Sequence, residues 1–212
     1  MMSRTSLPAE RILLLTGLSS FALIAGALGF QYLGGLPPCE MCHWQRWPHI
    51  GAALLGLVVA PLWRKNLFGM AAIVIALAAA VGLAAIYEWN MVIGLPPPLL
   101  GAVIAILVCA AIGLTGAALW NRDLRLLTMA AITLVLLSGL IGAYQTGMQW
   151  HLLPGPSACT APRYVMGSHA PAPVVRCDVM TWFFLGLALP AWNAILSFAI
   201  AAAAAFALTS RA

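Results

Sequence analysis

The chain has 212 residues, 63% of them hydrophobic and 7% charged, with a formal net charge of +5. A soluble domain carries about 25% charged residues, so this composition excludes a water-facing globule and identifies an integral membrane protein. No basic run is longer than Arg64-Lys65, which argues against nucleic acid as a partner and makes the positive charge an orientation signal.

A spanning helix needs about 20 mostly apolar residues. In chain order the candidates are 11–33, 45–62, 67–90, 98–120, 124–147 and 179–208, which predicts an all-α bundle of about six transmembrane helices in a single membrane domain, 1–212. For the first run the alternative is a signal peptide, since Arg4 and Arg11 precede it and Ala25-Gly26-Ala27 resembles a cleavage site. The apolar run from Ile12 to Phe30 is longer than a usual signal core, which favours a span. Before the second run stands PPCEMCHWQRW (37–47). Pro48 removes a backbone donor and crowds residue 44, so this helix is expected to begin near Gln45. The third and fourth runs are separated by LPPP (95–98), which no helix crosses smoothly. The sixth run follows Asp178, the expected N-cap.

Lysine and arginine placement orients the spans. With the N-terminus inside, seven basic residues (Arg4, Arg11, Arg64, Lys65, Arg122, Arg125, Arg211) fall on the cytoplasmic side and three (Arg46, Arg163, Arg176) on the other. N-in and C-in follow. The connections 34–44 and 148–178 then share the outer side.

Those two connections hold four of the five cysteines: Cys39 and Cys42 in the first, Cys159 and Cys177 in the second. Cys109, inside LLGAVIAILVCAAIGL, reads as a small buried apolar residue. Outside a bacterial cytoplasmic membrane disulfides persist, and two pairs on one side permit thiol–disulfide exchange between loops. Exchange needs a thiolate. Arg46, four residues after Cys42, and the positive end of the second helix both favour one at Cys42. An interfacial arginine also attracts a carbonyl-bearing partner, although a plain headgroup anchor is the alternative. Three other readings compete for the CxxC. Cys39-x-x-Cys42-His43 satisfies the c-type haem attachment pattern, with His43 as axial ligand. Four loop cysteines satisfy a zinc site. Disulfides that merely staple a scaffold are the third.

Three stretches carry a resemblance. CEMCHWQRWPH (39–49), GAYQTGMQWHLLPGPSAC (142–159) and CDVMTWFFLGLALPAWNAI (177–195) resemble, in this order, the segments of the bacterial disulfide bond formation protein B (DsbB) family. That resemblance implies a membrane oxidoreductase that re-oxidises a DsbA-like periplasmic thiol oxidase and passes electrons to ubiquinone or menaquinone in the inner membrane. It implies that Cys159 accepts the attack of the reduced partner, that Cys177 pairs with Cys159 at rest, that Cys39 exchanges with the loop pair, and that Cys42 is the thiolate beside quinone and Arg46. Gln145 stands where relatives often carry a histidine near the quinone, and His49, one turn below Arg46, is a further candidate for the quinone site. The usual member has four spans, so the stretch 67–120 reads as an inserted helix pair. The vitamin K epoxide reductase-like family also joins a CxxC to quinone chemistry, but without a CDxxxWxFLGL segment.

Overall fold

The first apolar run forms one helix, α1 (Ala9–Tyr32), in the computed structural model, which describes residues 8–65, 67, 69–70, 72–76, 98–156, 163–164, 171–172 and 175–210. Gly35, at φ +65°, turns the chain out of it toward Pro37-Pro38.

The second helix, α2, spans Glu40–Leu54 and so opens earlier than the Gln45 start expected from Pro48. Cys39 is its N-cap, its sulfur accepting from the Cys42 N–H at 3.3 Å. That cap lets the helix begin two turns above the proline, and Pro48 is carried in its interior. Three residues before the proline, the Gln45 carbonyl accepts from the Ser138 hydroxyl at 2.9 Å. A π-helical turn at Leu55–Val59 joins α2 to α3 (Ala60–Arg64). At that turn α1 comes very close. A Cβ on Gly56 would lie 2.5 Å from the Leu13 carbonyl oxygen and 2.7 Å from the Gly17 Cα, so only two facing glycines allow the approach.

Residues 69–70 and 72–76 are helical, but most of the expected span 67–90, including Glu88, lies outside the described residues. The expected span 98–120 is α4 (Pro98–Asn121), and 124–147 is α5 (Leu124–Gln149), whose N-cap Asp123 accepts from the Arg125 N–H. Among the described residues four helices are long and apolar enough to cross a membrane: α1, α4 from Leu100, α5 and the last helix, α6 (Leu189–Thr209). The α2–α3 run, broken by its π turn, adds a further apolar rod beside them.

α5 is the central element, packed against α1, α2, α4 and α6. Its apolar window is 61% buried, against 11% for α4, so α4 is the peripheral helix. Cys109 on α4 is exposed at the bundle surface, which corrects the expectation of a buried residue. Lipid tails are as apolar as leucine, so an apolar helix gains little by turning one face rather than another inward.

The stretch 179–188, expected to open the last span, is not helical. Phe183–Phe184 and Leu187–Ala188 (β3 and β4, following the short pair β1, Arg163–Tyr164, and β2, Pro171–Ala172) form an antiparallel hairpin. Leu185 at φ +51° and Gly186 at φ +77° make its turn, and Pro190 in the first turn of α6 fixes where the helix starts. Asp178 is therefore not an N-cap; it pairs with Arg176 at 2.6 Å. The core has two apolar clusters. One joins α1, α2–α3, α5 and α6 around Leu13, Val59 and Leu127. The other gathers Cys39, Met41, Ile141, Met148 and Cys177 at the cysteine-bearing end.

Candidate functional site

The two cysteine connections meet at one end of the bundle. Cys177 is fully buried and disulfide-bonded, whereas Cys39, Cys42 and Cys109 are free thiols. Cys159 lies outside the described residues. Gln145 on α5 stands between the two centres: its Nε2 is 3.2 Å from Cys39 Sγ, 3.9 Å from Cys42 Sγ and 3.4 Å from the Cys177 carbonyl oxygen.

The pair Cys39–Cys42 lies on the outer turn of α2, ahead of the apolar run. The Cys42 thiol is pulled down to about 7, first because the Cys39 thiol donates to its sulfur; burial opposes this, and the Cys39 backbone, Gln145 and the charge of Arg46 add to it. The Cys39 thiol is pushed up, by that same donation and by burial. In the reduced pair the remaining proton is thus favoured on Cys39 and the negative charge on Cys42. The sign is direct: below its midpoint Cys42 is a thiol, and its thiolate fraction rises about tenfold per pH unit until pH 7 and then levels. Alkylation of Cys42 by iodoacetamide, followed residue by residue by mass spectrometry, is expected to trace that curve while Cys39 stays unreactive through neutral pH.

Arg46 does not bond to the Cys42 sulfur. Its guanidinium is half-buried and donates to Gln31 Oε1 on α1 at 2.7 Å and to the Ala27 carbonyl at 3.4 Å. It reaches Cys42 through shared space instead. Cys42, Arg46, His49 and Gln145 line one cavity of about 300 Å³, at the lower end of the size range of small-molecule sites. Phe30, Trp182 and Trp192 supply much of its apolar wall. The Phe30 and Trp182 rings stand 4.8 Å apart, and Trp192 Nε1 donates to the Phe184 carbonyl of the hairpin at 3.0 Å. The hairpin that replaced the expected helix start therefore places aromatic rings over the cavity.

His49 is buried on the α6 side of α2. Its Nε2 lies 3.1 Å from Asn193 Oδ1 and 3.2 Å from Ser197 Oγ, while Nδ1 is buried without a hydrogen-bond partner among the described residues. The set suits a flat ring with carbonyl oxygens: apolar walls, a guanidinium at one side, and buried imidazole and carboxamide groups. His43, the residue that completes the haem pattern, has its neutral form favoured first by burial and then by the nearby charge of Arg46.

Gln45 and Asn193 belong to this site and were not among the sequence candidates. Gln45 Nε2 donates to Gln145 Oε1 at 2.6 Å, and Asn193 Nδ2 donates to Gln45 Oε1 at 2.9 Å. Two glycines of α5 make room for α6 here: a Cβ on Gly142 would fall 2.8 Å from the Pro190 carbonyl, and one on Gly139 would fall 3.0 Å from the Phe198 ring. The signal in the sequence was a polar side chain inside each apolar span.

A family model described as "Disulfide bond formation protein DsbB" matches residues 9–100 and 100–207. The two matched stretches meet inside the 67–120 segment. No curated protein and no solved structure matches the chain.

Proposed function

The chain belongs to the disulfide bond formation protein DsbB family, and from that premise we propose that it re-oxidises a DsbA-like dithiol oxidase and passes the electrons to membrane quinone, ubiquinone or menaquinone. It is a multi-pass membrane protein and a thiol oxidoreductase by family. In the proposed topology both termini are cytoplasmic and the cysteine-bearing end faces the periplasm of a bacterial inner membrane, where disulfides persist. The observation that carries the reading is the opening of the Cys39–Cys42 pair onto the Arg46-containing cavity, with disulfide-bonded Cys177 held beside it by Gln145.

In this reading Cys159 is the resting partner of disulfide-bonded Cys177, as the resemblance implies. A partner thiolate attacks Cys159 and releases Cys177 as thiolate. Cys177 then attacks Cys39 in the oxidised pair, and the electron pair moves onto Cys42. A quinone bound in the cavity supplies the two-electron acceptor. Arg46 and His49 orient it, and the aromatic wall excludes water. The partner's second thiolate attacks the partner sulfur of the mixed disulfide, leaving the partner oxidised and Cys159 as thiolate. Cys159 then attacks Cys177, the loop disulfide reforms, and Cys39 leaves as thiolate to close the pair with Cys42 as two electrons would pass to the quinone.

Covalent haem at Cys39 and Cys42 is less well supported, because a thioether needs an open sulfur and Cys39 is 4% exposed with its sulfur accepting from Cys42 and Gln145. A vitamin K epoxide reductase-like chain has no support from the family match.

The Cys177→Ala chain, mixed with a DsbA-like protein whose single remaining active-site cysteine is activated as a thionitrobenzoate mixed disulfide, is expected to displace thionitrobenzoate and accumulate a mixed disulfide on Cys159, visible by non-reducing electrophoresis and mass spectrometry. The wild-type chain, stripped of quinone and kept anaerobic, is expected to lose catalytic turnover until a short-chain quinone is restored. Turnover that persists without quinone sinks the reading.

A further inference from the structure

A line of buried hydrogen bonds runs from α6 to the thiols, and its direction is fixed at both ends. Ser138 gives its one hydroxyl proton to the Gln45 carbonyl, so its oxygen accepts from Asn193 Nδ2 at 3.1 Å. The Ser138 carbonyl, 3.4 Å from the same nitrogen, can only accept. Asn193 therefore turns its nitrogen inward, toward Gln45 Oε1. That leaves Gln45 Nε2 to donate to Gln145 Oε1, and Gln145 Nε2 to face the sulfurs. The Cys177 carbonyl, which also only accepts, fixes the same direction independently at the far end. Cys39 Sγ thus has two donors aimed at it, Gln145 Nε2 at 3.2 Å and the Cys42 N–H at 3.3 Å.

We propose that the Cys42 N–H and Gln145 Nε2 form a preformed thiolate site at Cys39 Sγ, with Gln45 and Asn193 as positioning residues that hold Gln145 as a donor. The inference rests on the thiol exchange proposed above. In that exchange the Cys159 thiolate attacks Cys177 Sγ of a Cys39–Cys177 disulfide. The Cys159–Cys177 bond forms, the Cys39–Cys177 bond breaks, and the electron pair leaves on Cys39 Sγ; no proton or further oxidant is needed. A buried sulfur is a poor place for that charge unless donors already point at it. Because Gln145 also holds the Cys177 carbonyl, the same carboxamide keeps the two exchanging cysteines side by side.

Among the described residues, the other charged and titratable groups near the pair are Glu40, His43, Arg46 and His49 on α2, and Arg176, paired with Asp178, on the 175–182 segment. Tyr144 on α5 directs its hydroxyl to the Pro154 carbonyl. The polar groups that α1, α5 and α6 bring to the cavity, Gln31, Gln145, Gln149 and Asn193 among them, are uncharged.

The test uses the full chain with Cys42→Ala, so that Cys39 is the one thiol left in the pair. The pH profile of Cys39 alkylation is read by mass spectrometry. Adding Gln145→Leu is expected to move its midpoint up by about one pH unit, the size of a hydrogen bond to a charged group. Gln145→Glu, which keeps the shape and offers no donor, is expected to move it further. Gln45→Leu or Asn193→Leu should move it less, and should add nothing once Gln145 is already leucine. A purely structural role changes the plateau rate and leaves the midpoint in place, and that result, or additive shifts in the double variants, overturns the proposal. No quinone or partner protein enters this measurement, so its failure leaves the trapping and quinone-depletion experiments standing.

Discussion

The Cys42→Ser chain is expected to fold, insert and keep its thermal midpoint in detergent, yet lose quinone-dependent dithiol oxidation by about a thousandfold or more, as removal of a reacting nucleophile does. Position 42 lies in the first turn of α2, where its backbone N–H caps through Cys39 Sγ. Serine preserves that N–H and is close in volume, so stability should move by less than about 1 kcal/mol. What disappears is the sulfur that, in the proposed exchange, holds the charge at neutral pH and closes the disulfide with Cys39. A serine hydroxyl supplies neither. The scaffold reading, in which the disulfides only staple loops, predicts the reverse: lower stability and unchanged thiol oxidation. Turnover with a reduced dithiol protein and a short-chain quinone, measured beside a thermal melt, separates the two. Retention of more than about a tenth of the activity would remove Cys42 from the reacting path.

The parts of this site that could be read from the sequence are those whose meaning is local. Cys39, Cys42 and Arg46 lie within one helical stretch, and their spacing alone places them at one mouth. The spans 11–33, 98–120 and 124–147 follow from apolar length, and α1, α4 and α5 match them to within about two residues at each end. The parts that could not be read depend on packing. Gln45 and Gln145 are a hundred residues apart, and Asn193 is further still. Each looks like a single polar residue in an apolar run until Gly139 and Gly142 bring α6 against α5. The hairpin at 183–188 was missed for a different reason. WFFLGL is apolar enough to continue a span, and a two-residue turn through Leu185 and Gly186 leaves little trace in composition. Cys109 was misread because burial inside lipid and burial inside protein have the same sequence pattern.

Replacing Arg46 by leucine is expected to lower kcat/KM for quinone by about 10- to 100-fold, the range for losing charge-assisted hydrogen bonds in a partly buried site. The structure also indicates how the loss should be distributed. Arg46 contributes least among the groups that lower the Cys42 thiol, and the hydrogen bond from Cys39 contributes most. Its guanidinium is turned to Gln31 and Ala27 on α1, across the cavity mouth. The pH midpoint of Cys42 alkylation should therefore hardly move in the leucine variant, while KM for a short-chain quinone rises. If Arg46 acted mainly by holding the thiolate, the midpoint would rise and KM would stay. If it were only a headgroup anchor, both would stay and the melt alone would change. Arg46→Lys sharpens the distinction. An ammonium keeps the charge but lacks the planar fork that can hold Gln31 with one nitrogen and face the cavity with another. Lysine should thus keep the Cys42 midpoint and still bind quinone more weakly than arginine. Measuring the midpoint and KM in the same two variants decides whether Arg46 meets Cys42 directly or through the molecule held between them.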